Sequence, residues 1–283
     1  MGESGGKDGG FLQTININME KIVKEIIKDK KTCYFVSPHL DDAAFSAGGL
    51  ISYLAKRTKV VVITAFTGAA SDKHSLSALA YIKMCGYKSA EIGKFYSARR
   101  SEDKALFNSM GVMPIHLGFL DALWRKKKSL NLIEKFSTLF INEFRYIYPT
   151  HRLHISKGKI HKEDISNLRK LEKKLIEIVG EDKNSVVFCP VGIGKHVDHI
   201  MVREACTNVS PRVIYWEDIP YNLYHELEKD FIKKNGLKRK VFNKNQSNRK
   251  ALYSAYKTQF GKLFDGKTDF SLSPETYYIK DLQ

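Results

Sequence analysis

The chain has 283 residues, a length that fits one α/β domain carrying insertions. Its hydrophobic content of 43% can fill a substantial core, and it contains no long uncharged apolar run of the kind that crosses a membrane. The net charge of +16 lies in lysines dispersed over 126–128, 157–174 and 229–250. That dispersal reads as a solvated surface, so no nucleic-acid partner is expected.

Residues 1–12, rich in Gly and polar side chains, read as a disordered leader or remnant, which puts the domain at 13–283. Apolar spacing over Ile15–Lys28 predicts a helix. TCYFVS at Thr32–Ser37 reads as a buried strand, ended by Pro38 and a polar turn at His39–Asp42. A helix over Ala43–Lys56 and a second buried strand over Lys59–Phe66 follow. Helices are predicted at Ser75–Ser89 and Tyr96–Met110, the latter closed by Gly111. Val112–Leu117 reads as a strand, and Asn131–Tyr148 and His161–Val179 as helices. The polar, basic stretch 146–174 reads as an insertion near a pocket. Ser185–Cys189 is the next strand, followed by a turn at Pro190–Lys195 and a helix over Val197–Asn208. Arg212–Trp216 and Glu275–Ile279 read as strands, with helices at Tyr221–Lys234 and Ser247–Gly261 between them.

Near-continuously apolar strands alternating with helices predict a Rossmann-like α/β fold, a mostly parallel sheet with helices on both faces. Ligands in such folds gather at the carboxyl ends of the strands. Two chemically loaded segments fall there. One is Ser37-Pro38-His39-Leu40-Asp41-Asp42, and the other is Gly192-Ile193-Gly194-Lys195-His196-Val197-Asp198-His199. Adjacent ionised carboxylates repel, so Asp41 and Asp42 call for a cation or a helix N-terminus beside them. Helix capping by one Asp is the plainer reading, but it leaves His39 and the second carboxylate without a purpose. His196 and His199 are three apart and meet on one side of a helix start. Two His and one carboxylate with an open water position are the catalytic zinc arrangement.

Pro38-His39-Leu40-Asp41-Asp42-Ala43 and His196-Val197-Asp198-His199 together resemble the P-H-P-D-D-E and H-x-D-H motifs of the PIG-L (LmbE-like) zinc-dependent amino-sugar deacetylases. Arg99 to Asp103 and Leu117 to Asp121 resemble the family's intervening R-x-x-E helix and L-G…D loop, and Trp216 to Tyr221 extends the likeness. The resemblance implies Zn2+ held by His39, Asp42 and His199, with Asp41 as general base. It implies His196 as an imidazolium that steadies the oxyanion or protonates the leaving amine, and Asp198 orienting His196 or a ligand histidine. It implies Arg99 and Asp121 as contacts to the substrate, with an Arg99–Glu102 ion pair as the structural alternative for the arginine. The activity implied is removal of an N-acetyl group from an amino-sugar-containing small molecule. Leu40 and Ala43 depart from the family pattern, which bears on the substrate more than on the chemistry.

Two other readings compete. His39-x-Asp41 with His199 also spells the H-x-D…H triad of a non-heme Fe(II) oxygenase, a chemistry usually carried by all-β jelly rolls. A basic nucleic-acid-binding protein would leave these His and Asp residues unexplained. Gly192-x-Gly194 is too incomplete for a dinucleotide fingerprint. His151 and His154 read as a solvated or pocket-rim pair, and His74, His116, His161 and His225 as residues without a catalytic role. Cys33, Cys85, Cys189 and Cys206 lack CxxC spacing, which suits a reducing, cytoplasmic setting.

Overall fold

The computed structural model describes residues 19–70, 74–138, 140–180, 183–210, 212–245, 247, 249–263 and 273–280. The expected leader at 1–12 and the start of the first predicted helix lie outside them.

The strands are β1 (Thr32–Ser37), β2 (Val60–Thr64), β3 (Met113–His116), β4 (Ser185–Pro190), β5 (Val213–Trp216), β6 (Leu237–Phe242) and β7 (Glu275–Lys280). They form one sheet in the order β3-β2-β1-β4-β5-β7-β6. The pairs β1–β2, β2–β3, β1–β4 and β4–β5 are parallel, whereas β7 runs antiparallel to both β5 and β6. The helices are α1 (Met19–Lys28), α2 (Asp42–Ala55), α3 (Leu76–Met84), α4 (Ile92–Ser109), α5 (Leu132–Ser137), α6 (Ile165–Val179), α7 (Val197–Val209), α8 (Lys229–Lys234), α9 (Arg249–Ser254) and α10 (Phe260–Leu263).

Both sheet faces are covered, which is why β1 and β2 read as continuous apolar runs. Along β1, Tyr34 and Val36 join one core cluster with residues of α4, α6 and α7. Cys33 and Phe35 join the other, with residues of α1, α2 and α9. Phe35 stacks on Phe188 of β4 at 4.3 Å between ring centroids, locking the two central strands together. Fully burying such a ring stabilises by about 1.5–3 kcal/mol.

The chain leaves β1 toward β2 on one side and leaves β4 toward β5 on the other. The sheet therefore reverses its winding between β1 and β4, and a crevice opens above their carboxyl ends. Both motifs stand at that crevice.

Three expectations need correction, and one strand, Leu237–Phe242, went unpredicted. Lys238, Arg239 and Lys240 broke its apolar pattern, and such charges suit a sheet edge. Asn131–Tyr148 is not one helix but α5 and a 3₁₀ turn at Asn142–Arg145. Its periodic apolar residues Leu132, Ile133 and Phe136 are exposed, so the spacing reported no buried face. Tyr221–Lys234 is a 3₁₀ turn at Tyr221–Leu223 and then α8, and Ser247–Gly261 contains α9 and α10 separated by a turn. Among the described residues no helix is long and apolar enough to cross a membrane.

Gly49, in the middle of α2, has a specific cause. Glu275 of β7 accepts from the Gly49 and Leu50 amides at 2.6 and 3.0 Å, and a Cβ at 49 would lie 2.9 Å from its Oε1. The last strand is thereby fastened to the helix that begins at Asp42.

Candidate active site

The turn after β1 is built by its own side chains. Ser37 Oγ donates to the His39 carbonyl at 2.7 Å and accepts from the Ala43 amide at 3.0 Å. Asp42 Oδ2 accepts from the His39 amide at 2.9 Å. Asp41 occupies the N-cap position of α2, yet its carboxylate caps nothing. The plain capping reading of Asp41 therefore fails. Its nearest cation is Arg99 of α4, with Nη2 3.8 Å from Oδ1.

The turn after β4 needs left-handed backbone at Gly192 (φ 92°) and Gly194 (φ 77°). Those glycines shape the entry to α7. His196 is the N-cap of α7, its Nδ1 accepting from the Asp198 amide at 3.2 Å. A ring nitrogen that accepts carries no proton, so His196 is neutral at rest and keeps its remaining proton on Nε2. Burial, with His39 and His199 alongside, holds its pKa well below the usual value. At rest the ring is therefore a neutral imidazole.

His39, Asp42 and His199 offer donor atoms that lie within 4.8 Å of one another. Asp42 Oδ2 is 3.1 Å from His39 Nδ1 and 3.4 Å from His199 Nε2. The far nitrogens are both anchored: His39 Nε2 lies 3.0 Å from Asp198 Oδ2, and His199 Nδ1 lies 2.7 Å from Asp218 Oδ1. Carboxylates behind both imidazoles orient the inner nitrogens and raise their basicity, as in metal sites. His199 Nε2 is buried and has no hydrogen-bond partner. An orphaned imidazole nitrogen beside a carboxylate fits a cation, and these donors make a candidate site for a divalent metal ion.

His39, His196 and Asp198 also lie close enough to share an ion. Their atoms are already committed, because Asp198 takes the Ala122 amide at 3.0 Å and a short ion pair from Arg125. Asp198 is fully buried and its carboxylate reaches His39 rather than His196. It stands behind the His39 ring. Arg125 in turn pairs with Asp164 at 2.8 Å. In the H-x-D…H reading Asp41 would be a ligand, but it is Asp42 that groups with His39 and His199.

Burial, followed by the Asp42 charge, pushes the Asp41 carboxyl up to about 7. Burial also opposes ionisation of Asp42, but the His199 and His39 imidazoles outweigh it and hold Asp42 below the ordinary carboxylate range. Neighbouring carboxylates thus take opposite directions, the mark of one group fixed as an anion and one poised to exchange a proton.

A cavity of about 530 Å³ stands over this cluster, and His39, Asp41, Asp42, Arg99, Asp121 and His196 all line it. Asp121 is partly engaged, accepting from Leu123 N at 2.9 Å and Tyr96 Oη at 3.2 Å. Glu102 accepts from Thr258 and makes no pair with Arg99, so the alternative Arg99–Glu102 pair is absent. His151, read as a solvated or pocket-rim residue, lines the cavity, as does His225, which was given no catalytic role, and His116 is tied to Asp103 at 2.7 Å.

A profile of the GlcNAc-PI de-N-acetylase (PIG-L) family matches residues 34–210. The chain belongs to this family. A curated relative, 2'-N-acetylparomamine deacetylase of Streptomyces fradiae, is 24% identical over 208 residues, 71% of this chain. The chain spans only 61% of that protein's length. A solved deacetylase–teicoplanin complex from the teicoplanin biosynthesis pathway shares 23% identity at a TM-score of 0.65, covering 88% of this chain and 98% of that one. The zinc-inhibited form of teicoplanin deacetylase Orf2 shares 22% identity at a TM-score of 0.62, covering 87% and 97%. These likenesses establish the PIG-L fold in this chain.

Asp218 is one site residue that the sequence reading does not mark. Trp216 to Tyr221 was singled out only as a continuation of the resemblance, with no role for its carboxylate. The available signal was an acid directly after a buried strand. Asp218 also accepts the Gly192 and Ile193 amides at 2.8 and 2.9 Å, so it braces the second motif's turn as well as His199. Tyr221 follows it, packed against the His199 ring at 5.0 Å. Gln259, also missed, enters the cavity from the turn before α10.

Proposed function

We propose that this PIG-L protein is a zinc-dependent hydrolase that removes an N-acetyl group from an amino-sugar-containing small molecule, giving acetate and a free amine. The observation that carries the reading is the convergence of His39 Nδ1, Asp42 Oδ2 and His199 Nε2, with His39, Asp42 and the neighbouring Asp41 lining one cavity. The relatives named for 2'-N-acetylparomamine and teicoplanin favour an amino-sugar conjugate of antibiotic type. The buried thiols fit a reducing, cytoplasmic setting.

His39, Asp42 and His199 hold the ion. A divalent ion there supplies the Lewis acidity that lowers the pKa of water and polarises an amide carbonyl. Asp41 accepts the proton of the attacking water as its oxygen bonds to the carbonyl carbon. His196 donates its Nε2 hydrogen to the oxygen that becomes negative, which a neutral, helix-capping ring does at no reorganisation cost. Asp41 then returns the proton to nitrogen as the C–N bond breaks. Asp198 keeps His39 in its tautomer, and Arg99 and Asp121 contact the sugar. Segment 146–174 acts as a cover, with His151 on the cavity wall.

The test is acetate release from a panel of N-acetylhexosamine conjugates by the zinc-loaded protein. Because a relative exists in a zinc-inhibited form, the ion is titrated up to, not beyond, one equivalent. Release from any panel member by wild type and not by His199→Ala supports the reading. Silence across the panel overturns it.

A further inference from the structure

Two polar side chains in the cavity have donors that no described residue satisfies. Arg99 and Gln259 are each only 2% exposed. Arg99 Nε and Nη1 and Gln259 Nε2 are buried without hydrogen-bond partners. Leaving such a donor unmatched costs about 1–3 kcal/mol, more when it is charged. Native proteins rarely keep several of them at one place without a ligand to satisfy them.

Their proximity is built by α4. Arg99, Glu102 and Asp103 share one helix face at i, i+3 and i+4. Glu102 accepts from the Thr258 amide and hydroxyl at 3.1 and 2.6 Å, and Asp103 accepts from the Tyr256 hydroxyl at 2.8 Å. The Gln259 amide closes the turn onto the Tyr256 carbonyl at 3.0 Å. The Tyr256 ring packs on Phe45, itself a cavity residue, at 5.4 Å between centroids. The acids that follow Arg99 therefore clamp a distant turn to its helix, and that turn carries Gln259 into the same cavity.

We infer that Gln259 determines specificity: with Arg99 it forms a donor subsite for a substrate group that presents two or more acceptor oxygens. The inference rests on the proposed amide-hydrolase reading of the cavity. The matching chemistry is either the neighbouring hydroxyls of a sugar ring or an anionic carboxylate or phosphate. Arg99 answers both, whereas the neutral Gln259 amide can be altered to tell them apart.

The experiment measures binding and not turnover, so it stands apart from the test of catalysis. Calorimetry on the zinc-loaded protein compares N-acetylglucosamine, N-acetylglucosamine 6-phosphate and N-acetylcyclohexylamine, which has a ring of the same size and no ring oxygens. Wild type is expected to bind an oxygen-bearing ligand at least about tenfold more tightly than the cyclohexyl amide. Gln259→Leu is expected to erase about tenfold of that preference while its melting midpoint stays at the wild-type value. Gln259→Glu separates the sources: it still binds the neutral sugar if hydroxyls fill the subsite, and it loses the phosphorylated sugar if an anion does. Equal affinity of wild type for all three ligands overturns the subsite. So does a Gln259→Leu protein that keeps the full preference, or one that weakens every ligand alike. Failure to hydrolyse with the binding preference intact would sink the catalytic reading alone.

Discussion

Asp218 Oδ1 stands 2.7 Å from His199 Nδ1, while the opposite nitrogen of the same ring is buried and partnerless. One nitrogen of His199 is thus held by protein and the other faces the candidate cation site. Asp218 also accepts the Gly192 and Ile193 amides, so a single carboxylate fixes both the ring and the turn before it.

Replacing Asp218 by Asn is therefore expected to weaken divalent-metal affinity by about 10–100-fold. A competition titration against a chromophoric chelator reads this directly. Unchanged affinity would remove Asp218 from its supporting role.

Asp41→Asn should keep the metal and lose turnover by about 10²–10⁴-fold, the usual contribution of a positioned base. The pH sign follows from burial and Asp42, which raise the Asp41 carboxyl to about 7 in the metal-free protein. A base works only when deprotonated, so activity is present above its pKa and lost as pH falls through it. A bound dication lowers that pKa, so the acid limb of kcat/KM lies below the carboxyl titration of the metal-free protein followed by NMR. An acid limb unchanged in the variant would assign it to another group.

Chelation should abolish acetate release and also lower the melting temperature, because ion binding stabilises only the folded chain. At a free ion concentration one hundred times Kd the difference is about 2.7 kcal/mol. Scanning calorimetry with and without the chelator checks it. An unshifted melt with activity intact would mean that the donors hold no functional ion.

Arg125 lies between Asp164 at 2.8 Å and Asp198, all of them buried. Arg125→Met leaves two carboxylates uncompensated and is expected to destabilise the fold by about 3–5 kcal/mol. Urea unfolding measures the loss. A loss below about 1 kcal/mol would show that Arg125 is as weakly coupled as a surface pair.

Much of this arrangement could be read in the chain. β1, β2 and β4 announced themselves because burial on both faces demands unbroken apolar runs. The two histidine-and-aspartate turns follow β1 and β4, so the parallel-sheet rule places them together. Local patterns could not foresee β6, whose lysines and arginine suit an edge, or α5, whose apolar side chains face outward. Partners distant in sequence were equally hidden. Asp198 behind His39, 159 residues apart, and Asp218 behind His199 are fixed by packing, not by spacing. The charge state of His196 depended on a cap bond that only a backbone reveals.

Glu275 gives the terminal strand a hold on the helix that starts at Asp42. Chimeras among relatives must respect that hold. A last strand transplanted from a protein with a larger residue at position 49 would arrive with its carboxylate displaced, and the disturbance would travel along α2 to Asp42 at its first turn. Position 49 and position 275 are best exchanged as a unit.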